Sequence, residues 1–215
     1  MINTGTDIYI CMERKYTDPS GRTSWISVDR FKYNKYHESE DDRLTVDWIY
    51  KDRNYELFGL LANVRYQTTP IADPRGLPDD ISIETKKEYK SMENYAYAEH
   101  YYLVSELFDY YRMHKDVKRH GYVSPDEAFM ISGGYEPEFW CESREEYNYH
   151  KSEDDDSEGV YVEWVARYSP LEELILPIQK RICEEENVSY GENSKEMCAM
   201  LGDVAQNYRV VFWFD

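Results

Sequence analysis

Apolar and polar positions are patterned most clearly at the two ends of the chain. Thr6-Asp7-Ile8-Tyr9-Ile10-Cys11-Met12-Glu13 is β-branched, aromatic and roughly alternating, which predicts a strand. Trp25-Ile26-Ser27-Val28 reads as its hairpin partner, reached across the turn residues Asp18-Pro19-Ser20-Gly21. Tyr208-Arg209-Val210-Val211-Phe212-Trp213-Phe214 is almost continuously apolar, so it predicts a central strand covered on both faces and placed beside the first one.

Between these ends the spacing turns helical. Ser169-Pro170-Leu171-Glu172 has the form of a capping box with proline at the first helical position, and Leu171, Leu174, Ile175, Ile178 and Ile182 then share one face. Pro177 removes an amide donor inside that helix and predicts a kink or a break. Ser124-Pro125-Asp126-Glu127 repeats the capping pattern, and Tyr55 to Val64, Tyr102 to Arg112 and Asn193 to Ala205 also read as helices. Pro70 to Ser82 is a turn-rich loop with three prolines and a glycine, ending on a predicted N-cap at Ser82. Together these elements predict an α+β fold: a small mixed or antiparallel sheet that includes both terminal strands, packed with several helices. The chain reads as a single domain over 1–215, with 138–160 as an acidic flexible insertion, a loop or small lobe. No internal repeat is present.

Charge then narrows the function classes. Forty-three Asp and Glu face 25 Lys and Arg, a net −18 on 215 residues, alongside 22 tyrosines and five tryptophans. Such a chain repels nucleic acid, so direct nucleic-acid binding is not expected. It can instead imitate nucleic acid, because duplex DNA carries about one negative charge per 1.7 Å of axis. No run of 18 apolar residues occurs, and the first residues lack a basic head followed by an apolar stretch, which predicts a cytoplasmic protein with no membrane segment. Cys11, Cys141, Cys183 and Cys198 lie far apart without CxxC spacing, so they read as reduced, buried thiols. No metal and no cofactor is expected.

The sharpest acidic excess, Glu138 to Glu158, contains Glu142, Glu145, Glu146 and the run Glu153-Asp154-Asp155-Asp156. One reading is a solvated loop. The other is a partner-binding surface, because Trp140, Tyr147, Tyr149 and Tyr161 bracket the acids, and aromatics beside carboxylates suit an Arg-rich partner. A second group of residues suggests a different chemistry. Arg53, Asn54, Tyr55 and Arg65 flank an apolar helix, Arg75 sits in the proline-rich loop, and His100 follows Glu99. They would serve an anion or nucleotide site, with arginine clamps and Tyr55 as a stacking face, or else form structural ion pairs. There is no HExxH, P-loop, GxGxxG or GxSxG, and His37, His114, His120 and His150 lack ligand spacing, so no catalytic residue is assigned.

Asp7-Ile8-Tyr9, Arg53-Asn54-Tyr55-Glu56-Leu57-Phe58, Pro74-Arg75-Gly76-Leu77-Pro78, Glu99 to Leu107 and the closing Arg209 to Asp215 together resemble a family of uncharacterised proteins encoded by tailed phages and bacteria. The likeness is scattered along nearly the whole chain. It implies a phage-type setting and little chemistry. This chain has Tyr9 where the family has histidine, and only His100 where the family has a His-Ser-His-Ser stretch, so a metal or acid-base step served by those histidines in relatives is expected to be lost here. Charge and resemblance lead to one expectation: a non-catalytic inhibitor in the bacterial host cytoplasm that blocks a basic, nucleic-acid-binding defence protein, such as a CRISPR effector, by charge mimicry. The alternative is a nucleotide sponge or phosphoesterase built on the Arg/His group, and a third reading is acidity serving solubility alone. The exposed aromatics leave homo-dimerisation open.

Overall fold

The computed structural model describes residues 5–33, 44–65, 69–113, 117–135, 137, 139–151, 157–166, 169–191 and 193–215. The N-terminal hairpin forms as its pattern predicts: β1 (Ile8–Thr17) pairs with β2 (Thr23–Ser27) from Thr17↔Thr23 to Glu13↔Ser27. Asp18 closes the turn by accepting the amides of Ser20 (2.8 Å) and Arg22 (3.0 Å), and Gly21 takes the positive φ of 84° that a side chain would resist. A separate two-stranded ribbon, β3 (Arg30–Tyr33) and β4 (Leu44–Asp47), leads to α1 (Tyr55–Ala62). Asn54 caps α1 from the Leu57 amide at 3.1 Å. After the proline-rich loop, Ser82 caps α2 (Ile83–Met92) as expected; β5 (Tyr97–Leu103) and α3 (Val104–Met113) follow.

The chain continues through β6 (Val117–Val123), α4 (Pro125–Ser132), α5 (Arg144–His150) and β7 (Val160–Ala166) to α6 (Glu172–Glu185), α7 (Ser194–Met200), α8 (Gly202–Ala205) and β8 (Tyr208–Phe214). These residues divide into two compact units, 1–113 with 170–215, and 114–169. The acidic segment 138–160 falls within the second of these units.

In the first unit the main sheet runs β2-β1-β8-β5, every neighbour antiparallel, with both terminal strands at its centre. The fold is α+β. All seven residues of β8 are buried. On one face Ile8, Ile10 and Met12 of β1 and Tyr208, Val210, Phe212 and Phe214 of β8 join the core with Leu57, Phe58 and Leu61 of α1, Leu107 and Phe108 of α3, and the aliphatic face of α6. On the other, Tyr9, Cys11 and Glu13 stand opposite Trp213, Val211 and Arg209. Trp48 and Tyr89 cover Trp213 edge-on at 6.1 and 5.4 Å.

Four sequence expectations need correction. Tyr102 and Leu103 end β5, so the helix predicted from Tyr102 begins at Val104. The capping box at Ser169 does not form: α6 starts after Leu171 without a side-chain cap, and Glu172 accepts the Ser194 hydroxyl (3.0 Å) instead of turning back to its own helix. Pro177 does not divide α6, which runs as one helix from Glu172 to Glu185. A lost bond and ring clash cost about 3 kcal/mol, and five fully buried Leu and Ile side chains, each worth about 1.5–3 kcal/mol, outweigh that. The segment Asn193 to Ala205 forms two helices, separated at Leu201.

Candidate functional site

Within the first unit, the six residues offered for an anion site each have local employment. Arg53 forks onto Asp7, with Nη2 donating to Oδ2 at 2.8 Å and Nε to Oδ1. The hydrogen bonds from Arg53 hold the Asp7 carboxyl below its ordinary range. Asn54 caps α1 and donates to Glu173 at 3.1 Å; Tyr55 lies edge-on to Phe58 at 5.6 Å with its ring part-exposed. Arg65 donates from Nε to the buried Thr6 hydroxyl at 2.6 Å.

Arg75 and His100 belong to a second group, under the proline-rich loop. Arg75 is bidentate to Glu106 (2.8 and 2.6 Å), and its guanidinium lies over the Tyr101 and Tyr102 rings at 5.4 and 5.5 Å. Burial would raise the Glu106 carboxyl, but the hydrogen bonds from Arg75 and the Leu103 amide outweigh it and keep it lowered. His100 is fully buried, stacked on Tyr102 at 4.5 Å and Phe212 at 5.6 Å. Burial lowers its pKa and favours the neutral ring. Tyr102 pins the loop by donating to Leu61 O (2.9 Å) and accepting from the Ala72 amide (3.2 Å). This is a packing arrangement with its arginine fork already filled. Arg75→Ala should therefore cost about 1–2 kcal/mol in urea denaturation, through the lost ion pair and ring contacts. Calorimetric titration with ATP or phosphate should give the same trace for variant and wild type.

A charged cluster that the sequence pattern hid lies on the other face of the sheet. Arg209, 3% exposed, donates to Glu13 (2.6 Å) and to both the side chain and carbonyl of Asp80 (2.6 and 3.0 Å), with its guanidinium 4.1 Å from the centre of the Trp25 ring. Glu13, wholly buried, also accepts the Ser82 amide at 2.8 Å. The signal for it was a lone arginine in an otherwise apolar strand. At the end of α6 a shallow cavity of about 450 Å³ is lined by Lys180, Cys183, Glu184 and Tyr190; Lys180 lies over Tyr190 at 5.7 Å and Glu184 pairs with Arg30. All four cysteines are free and buried, and burial pushes their thiols up. Among the described residues no group of His, Cys, Asp and Glu could hold a metal ion, and no helix is long and apolar enough to cross a membrane.

The second unit is built on the β6–β7 hairpin, paired from Val117↔Ala166 to Val123↔Val160. Cys141 joins its edge through two backbone bonds with Tyr122 (2.8 and 3.0 Å). Gly121 makes room for this: a Cβ there would lie 2.7 Å from Trp140 and from the Cys141 carbonyl. Trp140 is half-buried, edge-on to Trp164 at 5.5 Å. Ser143 then caps α5 from the Glu146 amide at 3.1 Å. Part of the expected flexible insertion is therefore a capped helix on a hairpin.

That helix sorts the predicted contact residues. Tyr147 is 1% exposed, its ring against Gly159, and it anchors α5 instead of meeting a partner. Glu142, Glu145 and Glu146 are exposed, with Glu146 also accepting the Glu142 amide at 3.3 Å, and Tyr149 is 83% exposed. Glu153, Asp154, Asp155 and Asp156 lie outside the described residues. The unit carries 14 acidic and six basic side chains in 56 residues, against 29 and 19 in the 159 of the first unit, so its negative charge is more than twice as dense. No protein family, curated protein or solved structure matches this chain.

Proposed function

We propose that this protein is a non-catalytic acidic binding protein whose second unit occupies the basic surface of a nucleic-acid-binding partner. The observation that carries this reading is the contrast between the units: Arg53 and Arg75 are taken up by Asp7 and Glu106, whereas Glu142 just before α5 and Glu145, Glu146 and Tyr149 on it face solvent. A carboxylate surface needs no exact constellation to compete with phosphates; its attraction is long-ranged, speeds association and is screened by salt. The resemblance to phage-encoded proteins supports a host defence nuclease, such as a CRISPR effector, as the partner class, and inhibition by charge mimicry as the outcome. The anion-site reading, as nucleotide sponge or phosphoesterase, has weaker support because its arginines are engaged and His100 is buried.

A capture experiment from bacterial lysate at about 50 and about 500 mM salt tests this. Nucleic-acid-binding proteins should be retained at low salt and released at high salt or by duplex DNA. The variant Glu142→Gln/Glu145→Gln/Asp154→Asn/Asp155→Asn/Asp156→Asn should lose them. Equal capture by that variant would sink the reading, and a nucleotide co-purifying with the protein would favour the anion site.

A further inference from the structure

The second unit exposes an apolar ridge beside its acids. None of the eight residues of α4 is buried; Phe129 is 76% and Met130 45% exposed. Two further exposed aromatic residues are tied to α4 through their backbone: the Tyr135 amide (63% exposed residue) donates to Met130 O at 3.1 Å, and the Phe139 amide (41% exposed residue) donates to Glu127 in the first turn of α4 at 2.9 Å. The Phe139 ring also lies 6.2 Å from Tyr147 of α5, the helix that bears Glu145 and Glu146 and follows directly on Glu142 and the Ser143 cap. Asp126 and Glu127 stand at the start of α4 itself. The unit buries aromatics elsewhere, at Tyr147 and Trp164, so four large exposed side chains around one helix mark an interaction surface.

We propose that Phe129, Met130, Tyr135 and Phe139 form the seat for a basic amphipathic helix of the partner protein, whose apolar side chains pack on the ridge while its Arg and Lys meet Asp126, Glu142 and Glu145. The partner's charge rests on the acidic-binder reading above; the ridge adds the demand for apolar anchors. Charge complementarity selects this occupant, since carboxylates border the ridge at α4 and on α5. Aromatic and methionine side chains are the types that most often anchor such helices.

Two synthetic peptides of about 18 residues test it: one with leucines at helical i, i+3, i+4, i+7 spacing among arginines, the other with each leucine replaced by serine. By calorimetry at about 150 mM salt, wild type should bind the leucine peptide at least about tenfold more tightly than the serine peptide. Phe129→Ser should abolish that difference while leaving the melting curve unchanged, because the side chain is exposed. Equal binding of both peptides, unaffected by Phe129→Ser, overturns the ridge and leaves the acidic reading standing. Binding of neither peptide overturns both. A dimer in sedimentation that Phe129→Ser dissociates assigns the ridge to a second copy of this chain and overturns the heterologous partner.

Discussion

Arg209→Ala is expected to destabilise the first unit by about 3–5 kcal/mol in urea denaturation, as much as truncating a fully buried aromatic. The reason is what it leaves behind. Glu13 has no solvent exposure and would keep only the Ser82 amide as a partner, so its negative charge would stand in the sheet without compensation. The same change removes the contact with Asp80 and the guanidinium over Trp25, which together tie the proline-rich loop, the start of α2 and the hairpin to β8. Set against a typical domain stability of about 5–15 kcal/mol, such a loss is a large share of the whole. The double variant Arg209→Met/Glu13→Gln should recover part of it, because it leaves no unpaired charge buried and keeps an oxygen for the Ser82 amide, at the smaller cost of an uncharged amide. If Arg209→Ala costs less than about 1 kcal/mol, water reaches Glu13 and the cluster is not closed.

The same cluster shows what a linear pattern conceals. Alternation in β1 and the apolar run of β8 were readable because both strands are buried in the main sheet, where hydrophobic burial dictates residue type. β5 was not, because Tyr97-Ala98-Glu99-His100-Tyr101-Tyr102-Leu103 carries polar groups that find partners only in the fold. Glu99 accepts from Tyr89, and His100 stacks between rings. Its register also shifts between Tyr97 and His100, with Ala98 at φ 52°, and the strand passes straight into α3 without turn residues to mark the boundary. The break expected at Pro177 failed for the opposite reason: a local rule was overridden by the buried face around it.

For the site, the sequence displayed the inventory of charges but not their pairing. Arg53 and Asp7 are 46 positions apart, Arg75 and Glu106 31 apart, and only the folded chain joins them. Tyr147 looked like its neighbours Tyr149 and Trp140 until the close approach of Gly159 placed its ring inside. The exposed α4 residues had a readable signal, Phe129-Met130 in the second turn of a helix capped by Ser124, but helical spacing alone does not say which side is covered.

Asp29→Asn should gain stability relative to wild type as pH rises. Asp29 follows β2 and turns its carboxylate back to accept the Met12 amide and the Ser27 hydroxyl, each at 3.0 Å. Burial raises its pKa from 3.8 to about 6, against the opposing pull of those two bonds, the Arg181 charge and the Cys11 thiol. The folded chain therefore holds this proton more tightly than the unfolded one. That contribution to stability is complete below about pH 4 and is lost as pH rises through about 6, at a cost of roughly 2–3 kcal/mol. Asparagine keeps the shape and an oxygen for the Met12 amide but does not titrate. The stability difference between variant and wild type should thus widen by roughly 2–3 kcal/mol from pH 4 to pH 7.5, seen as a relative rise in Tm of roughly 5–10 °C. Burial raises the Glu88 carboxyl in the same direction, but that group is common to both proteins and cancels in the comparison. A difference that stays flat with pH would mean that Asp29 titrates alike in the folded and unfolded chain, its hydrogen bonds fully offsetting its burial.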